Sequence, residues 1–445
     1  MNAPDFPTAA QWYHPSRRPY RYTVLCIVSL LTFGSYFAYD SVGAIETTLI
    51  AALGIGRESI GQMYTLYSVA AILSVFVGGL LIDRVGTRIG SLIFSGLVTL
   101  GAIIVAAAPN IWVLYLGRFI FGWGSESLVV AQSAIFTRWF RGKELAFAFG
   151  VGLTISRLGT LFSFNTEELI AKHFGSYSAA LWAAVLFCAV SLLANLLYNF
   201  LDRRGEKSLG LHEEGSGDKI VVSDIRKFRA SYWYVTLLCV TFYSAIFRFT
   251  ALSTDFFHSK WGLPLTVGSE GGFLTQALYN ILHMFSTAGG TTTIIIFASM
   301  VLAPFSGKLL DRFGRRASVM VVGSILMIPS FLTMAFTMVP PAIPMIVLGA
   351  AFVMVPAAMW PSIPLIVEKN RVGTAFGLTT MIQNIGLALF PWLNGLLRDA
   401  TMEYSASMIM FSMLGVVGLI FAILLLRADG REGRKLEMVD TTPAA

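Results

Sequence analysis

The chain reads as an all-α membrane protein, with twelve transmembrane helices in two pseudo-symmetric six-helix bundles. Three observations predict this fold: a surplus of apolar over charged residues, apolar segments of span length between basic clusters, and a charged loop that recurs once in each half. Of the 445 residues, 56% are hydrophobic and 13% charged, and the mean hydropathy is +0.70. Soluble domains carry about a quarter of their residues as charges. Too few polar groups remain here to coat a water-facing surface, whereas a bilayer accepts Phe, Leu, Ile and Val without penalty. The net charge of +7 does not point to nucleic acid, because the basic residues punctuate apolar segments instead of gathering on one face.

A helix needs roughly 20 apolar residues to cross the hydrocarbon core. In the N-terminal bundle, 22–201, such segments fall at 22–50, 58–82, 89–108, 110–137, 143–171 and 177–201. In the C-terminal bundle, 230–427, they fall at 230–258, 290–310, 317–339, 341–367, 373–397 and 405–427. With both tails, 1–21 and 428–445, on the cytoplasmic side, Lys and Arg collect in the tails and the even-numbered loops. Only Arg57, Lys172, Lys260 and Arg398 fall in the odd loops, and Arg118, Arg157 and Arg248 within spans. The positive-inside rule asks for that asymmetry, which one missed helix would have scrambled. The segment 202–229, with Arg203, Arg204, Lys207, Glu213, Glu214, Lys219, Arg226 and Lys227, reads as a cytoplasmic linker.

The polar N-terminus ends in Arg17, Arg18 and Arg21 with no cleavage site after a short apolar run, and reads as a cytoplasmic tail. No Asn-x-Ser/Thr acceptor occurs, which favours a bacterial inner membrane. Cys26, Cys188 and Cys239 lie in apolar runs without metal-ligand spacing, so packing is their expected role and no metal is expected. There is no Walker loop and no Ser/His/acid arrangement, and none of the five histidines lies centrally in a span. Neither a cofactor nor catalysis is expected.

Two features break the monotony of the spans. Trp261 to Gly290 inserts before the eighth, with Leu274, Leu278, Ile281, Leu282 and Phe285 at helical spacing, which predicts an amphipathic helix lying at the outer surface. It reads as structural cover or as a lid. The second feature is the repeat: Gly79-Leu-Leu-Ile-Asp83-Arg84-Val-Gly86-Thr-Arg88 after the second span returns 228 residues later as Gly307-Lys-Leu-Leu-Asp311-Arg312-Phe-Gly314-Arg315-Arg316 after the eighth. The glycines allow a tight turn, and the Asp can cap a helix or hold an Arg. Such contacts can latch one conformation and release in another.

Parallel six-helix repeats with this loop resemble the major facilitator superfamily, although Thr87 departs from the usual basic residue. More local strings are similar to the branch called major facilitator superfamily domain-containing protein 1, over nearly the whole chain. They are Phe33-Gly-Ser-Tyr-Phe-Ala-Tyr-Asp40, Gly117-Arg-Phe-Ile-Phe-Gly-Trp-Gly-Ser-Glu-Ser-Leu128, Gly142-Lys-Glu-Leu145, Ser156-Arg-Leu-Gly159, Trp360-Pro361, Gly373-Thr-Ala-Phe-Gly377 and Ile382-Gln-Asn-Ile-Gly-Leu-Ala388. Animal members of that branch are lysosomal dipeptide uniporters. The resemblance implies a secondary transporter of dipeptides or similar small zwitterions working by alternating access.

Charges inside spans cost roughly 2.5–3.5 kcal/mol at a helix centre on insertion scales, so each needs a partner or a wet cavity. Asp40, Glu46, Arg118, Glu126, Arg157 and Arg248 are the candidates. At about 1.5 Å per residue, Glu126 and Arg157 lie near the midplane of antiparallel neighbours. A carboxylate beside a guanidinium matches a zwitterion, Glu126 taking the ammonium and Arg157 the carboxylate through a planar two-pronged bond. The resemblance implies the same two roles; the alternative is a private ion pair between the two helices.

Arg118 opens the fourth-span string and is read as structural or proton-linked. Asp40 and Arg248 share a depth and suggest a gate between the halves, and Asp40, Glu46 and Glu126 are each candidates to carry a proton. Asn165, Gln383 and Asn384 can bond a peptide group, and Tyr243 and Trp360 can line the cavity. Pro356, Pro361 and Pro364 can bend the tenth span. The expected partners are the bilayer, a zwitterionic or anionic solute and protons, and the chain is expected to act as a monomer. A proton-coupled carrier of amino acids or organic anions and a non-transporting sensor or scaffold are the competing functions.

Overall fold

The computed structural model describes residues 14, 17–140, 144–209, 227–268, 272–368 and 371–438. The first span comes in three pieces, α1 (Arg18–Ser29), α2 (Phe33–Ala44) and α3 (Glu46–Leu53). At the first break, Thr32 turns its hydroxyl to Ser156 at 2.6 Å, and Gln132 donates to the Val28 carbonyl at 2.9 Å, so neighbouring helices hold the interrupted backbone in place. The second and third spans form α4 (Arg57–Ala106), broken only at Gly86, with φ 80° and ψ 166°. The sequence suggests a loop between 82 and 89, but the chain reverses on a single residue. That positive φ is one that glycine adopts without a Cβ clash.

The rest of the first half is α5 (Ile111–Phe140), α6 (Leu145–Phe174) and α7 (Tyr177–Leu209). The second half begins with α8 (Ala230–Thr250), continued by α9 (Ser253–Trp261). Next come α10 (Phe273–Leu282), α11 (Ala288–Phe313), α12 (Arg316–Phe336), α13 (Ala342–Ile366), α14 (Val372–Thr401) and α15 (Ser405–Glu432). Ten helices among the described residues are long and apolar enough to cross a membrane; the first part of α4 and α11 complete the twelve. The reversal between α11 and α12 uses Gly314 at φ 65° and Arg315 at φ 45°, repeating the turn at Gly86.

The insertion before the eighth span does contain an amphipathic helix. On α10, Leu278 and Leu282 are exposed, an apolar face suited to the bilayer boundary. Asn280 accepts from the Val267 amide at 2.8 Å, folding the preceding loop onto the helix. The segment is strapped to the first half: Phe273 meets the rings of His173 and Phe174, and Lys172 donates to Thr266 at 3.1 Å.

Asp202, placed by the sequence at the start of the linker, lies inside α7 and is fully buried. It accepts from Arg138 at 3.0 Å and from the Trp139 indole at 2.8 Å, and Arg88 of the repeated loop stands 3.6 Å away. Thr87, the departure from the family pattern, accepts from Arg138 at 3.4 Å. In the second half Asp429 accepts from the Leu436 amide, and Glu437 accepts from the Ser318 amide and hydroxyl at 2.8 Å each. The first turn is thus tied to the end of α7, and the second, at the start of α12, to Leu436 and Glu437 in the segment that follows α15. The side chains of Asp83 and Asp311 and the surroundings of Gly79 and Gly307 lie outside the described residues. Arg84 is exposed, and Arg312 stacks over Phe313.

Candidate functional site

The two halves meet most closely at the end away from the termini. Gly61 of α4 lies against the Pro391 backbone of α14, and Gly395 of α14 against the Arg57 backbone. A Cβ at either glycine would collide with main chain, so only glycine permits this approach. Around that seam Arg57 donates to Asp255 at 2.6 and 3.0 Å. Tyr404 adds a third bond to Asp255 at 2.5 Å, and the Asp255 amide donates to Glu46 of the other half. The Glu58 amide donates to Asp399 at 2.8 Å. Glu46 is fully buried, and its second oxygen has no partner. The cluster closes that end of the space between the halves.

One level deeper, Arg248 reaches from α8 to the Tyr39 hydroxyl at 2.5 Å and to Ser68 at 2.9 Å. It therefore bridges the halves through Tyr39, not through an ion pair with Asp40 as their shared depth suggests; the side chain next to Asp40 in the chain is longer and reaches the interface. Arg118 donates to the carbonyls of Ala38 and Tyr39 at 3.2 and 3.3 Å. It lies among the rings of Tyr39, Tyr64, Tyr67 and Phe121. These contacts engage both terminal nitrogens of a buried guanidinium with local carbonyls and π faces, while its Nε is buried without a partner among the described residues.

Toward the termini a cavity of about 830 Å³ opens between α6, α11 and α13, within the size range of small-molecule sites. Among the described residues Arg157 is the one charge on its wall, and Tyr243 and Trp360 also line it. The Trp360 indole donates to the Tyr243 hydroxyl at 2.9 Å, which leaves the hydroxyl proton of Tyr243 available to a solute. Arg157 is half-buried and lies over the rings of Tyr36, Phe247 and Phe352 at 5.6, 5.2 and 5.2 Å. Arg157 also lines a second cavity of about 40 Å³ that it shares with Asp40, Tyr36 and Thr160. Its side chain stands between the two spaces.

Glu126 lies on the wall of neither cavity. Its carboxylate accepts from Tyr67 at 2.7 Å, and no ion pair joins it to Arg157 among the described residues. The private ion pair is therefore not formed in this conformation. Tyr36, whose ring lies under the Arg157 guanidinium, shares the smaller cavity with Arg157 and Asp40.

Asn165 donates to Leu161 of its own helix at 2.8 Å and faces Gly290, away from both cavities. Asn384 donates to the Thr380 carbonyl at 3.0 Å, and Gln383 and Asn384 are buried on α14. Tyr36, Tyr67, Phe247 and Phe352 are absent from the sequence-derived site. Tyr36 lies four residues before Asp40 and Phe247 directly before Arg248, but in a chain this rich in aromatics such spacing marks nothing out.

Two repeated six-helix halves, joined tightly at one end and parted by a cavity toward the other, define a multi-pass membrane transporter. The family model described as Major Facilitator Superfamily matches residues 28–289 and 271–444, and the chain belongs to that superfamily. It is 33% identical over 398 residues to the lysosomal dipeptide transporter MFSD1 of Danio rerio, covering 86% of this chain and 82% of the relative. It is 32% identical over 400 residues to the Homo sapiens protein of that name, covering 87% and 82%. A hexuronate transporter of Escherichia coli (strain K12) is 24% identical over 91% of this chain and 93% of its own. The crystal structure of nucleoside transporter NupG superposes with a TM-score of 0.68 at 15% identity, covering 91% of this chain and 99% of that one, a likeness of fold. The relatives named lysosomal give no support to the bacterial inner membrane expected from the sequence.

Proposed function

We propose that the protein is a secondary carrier of dipeptides or similar small zwitterions, working by alternating access. One observation carries this reading most: Arg157 stands at the head of the large cavity without an ion pair among the described residues, its guanidinium framed by three aromatic rings. An unpaired guanidinium on a cavity wall is a receptor for a carboxylate, and its planar fork takes both oxygens at once. Glu126 gives one oxygen to Tyr67 and keeps the other for the substrate's ammonium group. Tyr243 donates its free hydroxyl proton to the peptide carbonyl; Gln383 and Asn384, buried on α14, line neither cavity in this arrangement. The likeness to the MFSD1 dipeptide transporters supports the choice of dipeptides.

In this reading the closed end faces away from the cytoplasm, both termini and the linker are cytoplasmic, and the described arrangement is the one open to the cytoplasm. Substrate passage breaks the Arg57–Asp255 and Arg248–Tyr39 contacts and closes the other end through the repeated loops. Glu46 and Asp40 are the carriers of any coupled proton. The protein acts as a monomer and needs neither cofactor nor catalytic step. An organic-anion carrier is the second reading, favoured by Arg157 being the one charge among the described residues of the cavity wall and by the hexuronate relative.

Thermal stabilisation of the purified protein separates the two, because ligands that bind the native state raise its apparent stability. Dipeptides are expected to stabilise it selectively among dipeptides, amino acids and monocarboxylates. Stabilisation by monocarboxylates with no response to dipeptides would sink the zwitterion reading.

A further inference from the structure

We infer that a separate pocket in the second half, at the end away from the termini, binds a phosphate-class oxyanion between Arg398 and Lys260. Free inorganic phosphate and the headgroup phosphate of a lipid at that membrane face share the chemistry that the pocket recognises.

The pocket measures about 300 Å³ and lies between the last turn of α9, the end of α12 and the turn that joins α14 to α15. No residue lines both it and the large cavity on which Arg157 stands. Arg398, in the last turn of α14, is on its wall. That side chain is only 8% exposed, and its Nε and Nη1 are buried without a partner among the described residues. The guanidinium lies over the Tyr404 ring at 4.9 Å, and a π face offsets only part of the cost of burying a charge. Asp399, the next residue, turns instead to the Glu58 amide at the seam, so the nearest acid in the chain is engaged by the other half.

Lys260 meets the pocket from α9. Its ammonium group donates to the carbonyls of Met334 and Ala335, the latter at 2.7 Å; these lie in the last turn of α12, where carbonyls lack partners within the helix. Two of the three ammonium protons are thereby placed, and the third remains for a ligand. Ser259 and Ser405 add hydroxyls to the wall. The acid among the lining residues, Glu403, is exposed, accepts from Ser405 at 3.5 Å and makes no ion pair with Arg398 or Lys260. Two cations against one carboxylate at the rim leave the pocket electropositive.

A tetrahedral oxyanion presents oxygens in several directions. It can therefore meet a guanidinium, an ammonium group and hydroxyls that come from different walls, which a planar carboxylate with two oxygens does less completely. A halide would leave most of the space unfilled. Phe336, next to Ala335, and Met402 on the pocket wall are exposed, an apolar border that suits the bilayer boundary and brings a lipid phosphate within reach.

Equilibrium binding of labelled inorganic phosphate and of short-chain phosphatidylglycerol to the purified full-length protein in maltoside detergent tests this, with the parent set beside Arg398→Gln and Lys260→Gln. The parent is expected to bind at least one of the probes saturably. Each variant is expected to bind it at least roughly tenfold more weakly, the loss that removing a charge-assisted bond implies. Lys260→Gln, at a half-buried position, carries the test should Arg398→Gln fold poorly. Tighter binding of phosphatidylglycerol assigns the pocket to a lipid headgroup, and tighter binding of phosphate assigns it to the free anion. Absence of saturable binding by both probes overturns the inference, as does parent-like affinity in the folded variants. Dipeptide binding enters none of these outcomes, so the carrier reading stands or falls separately.

Discussion

Arg57 at the start of α4 and Asp255 in α9 face each other across the two halves, joined by two hydrogen bonds of 2.6 and 3.0 Å. Asp255 also accepts from Tyr404, so three donors converge on one carboxylate that is almost fully buried. A charge-assisted bond contributes about 1.5–3 kcal/mol net, enough to bias an equilibrium between closed and open ends.

Asp255→Asn keeps the shape of the side chain and removes its charge. Losing about 2 kcal/mol from the closed state shifts the population roughly thirtyfold toward opening at that end. The expected result is a longer spin-label distance between the tips of α4 and α9 and slower uptake in liposomes. An unchanged distance distribution would show that the pair does not hold the closed state.

The glycine seam makes a sterically independent prediction. Gly395→Val puts a branched side chain where the Arg57 backbone lies, so α4 and α14 cannot close. Uptake should be abolished while the variant inserts and still binds substrate. Gly96→Ala, where an added Cβ meets nothing, is expected to transport normally. Full transport by Gly395→Val would mean that the closed seam is not visited during turnover.

Asp202→Asn addresses stability instead of transport. Asp202 is fully buried, pairs with Arg138 and accepts from Trp139, and removing one partner of a buried pair costs about 3–5 kcal/mol. The detergent-purified variant should unfold at a markedly lower temperature than the parent, with dipeptide affinity preserved in the folded fraction. An unshifted unfolding temperature would place the stabilising interactions of this turn elsewhere.

The fold was legible because lipid imposes it. Span length and loop charge follow from one solvent constraint, and the Gly86 and Gly314 repeat, set by positive-φ turns, agrees with them. Arg157, Tyr243 and Trp360, three of the residues the sequence offers as cavity-lining, do share one cavity, whereas Glu126, offered at the same depth as Arg157, lies on the wall of neither. The tie at Asp202 was harder to see, because its neighbours Arg203 and Arg204 made it look like linker. Asp429, at the equivalent place in α15, lies 227 residues on, nearly the spacing of the repeated loops, and that interval was the available signal. The rings around Arg157 could not be read at all. With aromatic residues at 13% of the chain, their choice of partner is decided by helix rotation, which sequence spacing alone does not give.

In the proposed function Glu126 and Arg157 hold the two ends of a zwitterion. Uptake of a labelled dipeptide into liposomes, compared among the parent, Glu126→Gln and Arg157→Lys at equal reconstitution, tests it most directly. Glu126→Gln removes the charge that meets the ammonium group, and Arg157→Lys keeps a charge but loses the planar fork. Each variant is expected to insert normally and to lose uptake by at least tenfold, about 1.4 kcal/mol of substrate interaction. Uptake at the parent rate by both variants would mean that these two side chains do not bind the substrate's ends.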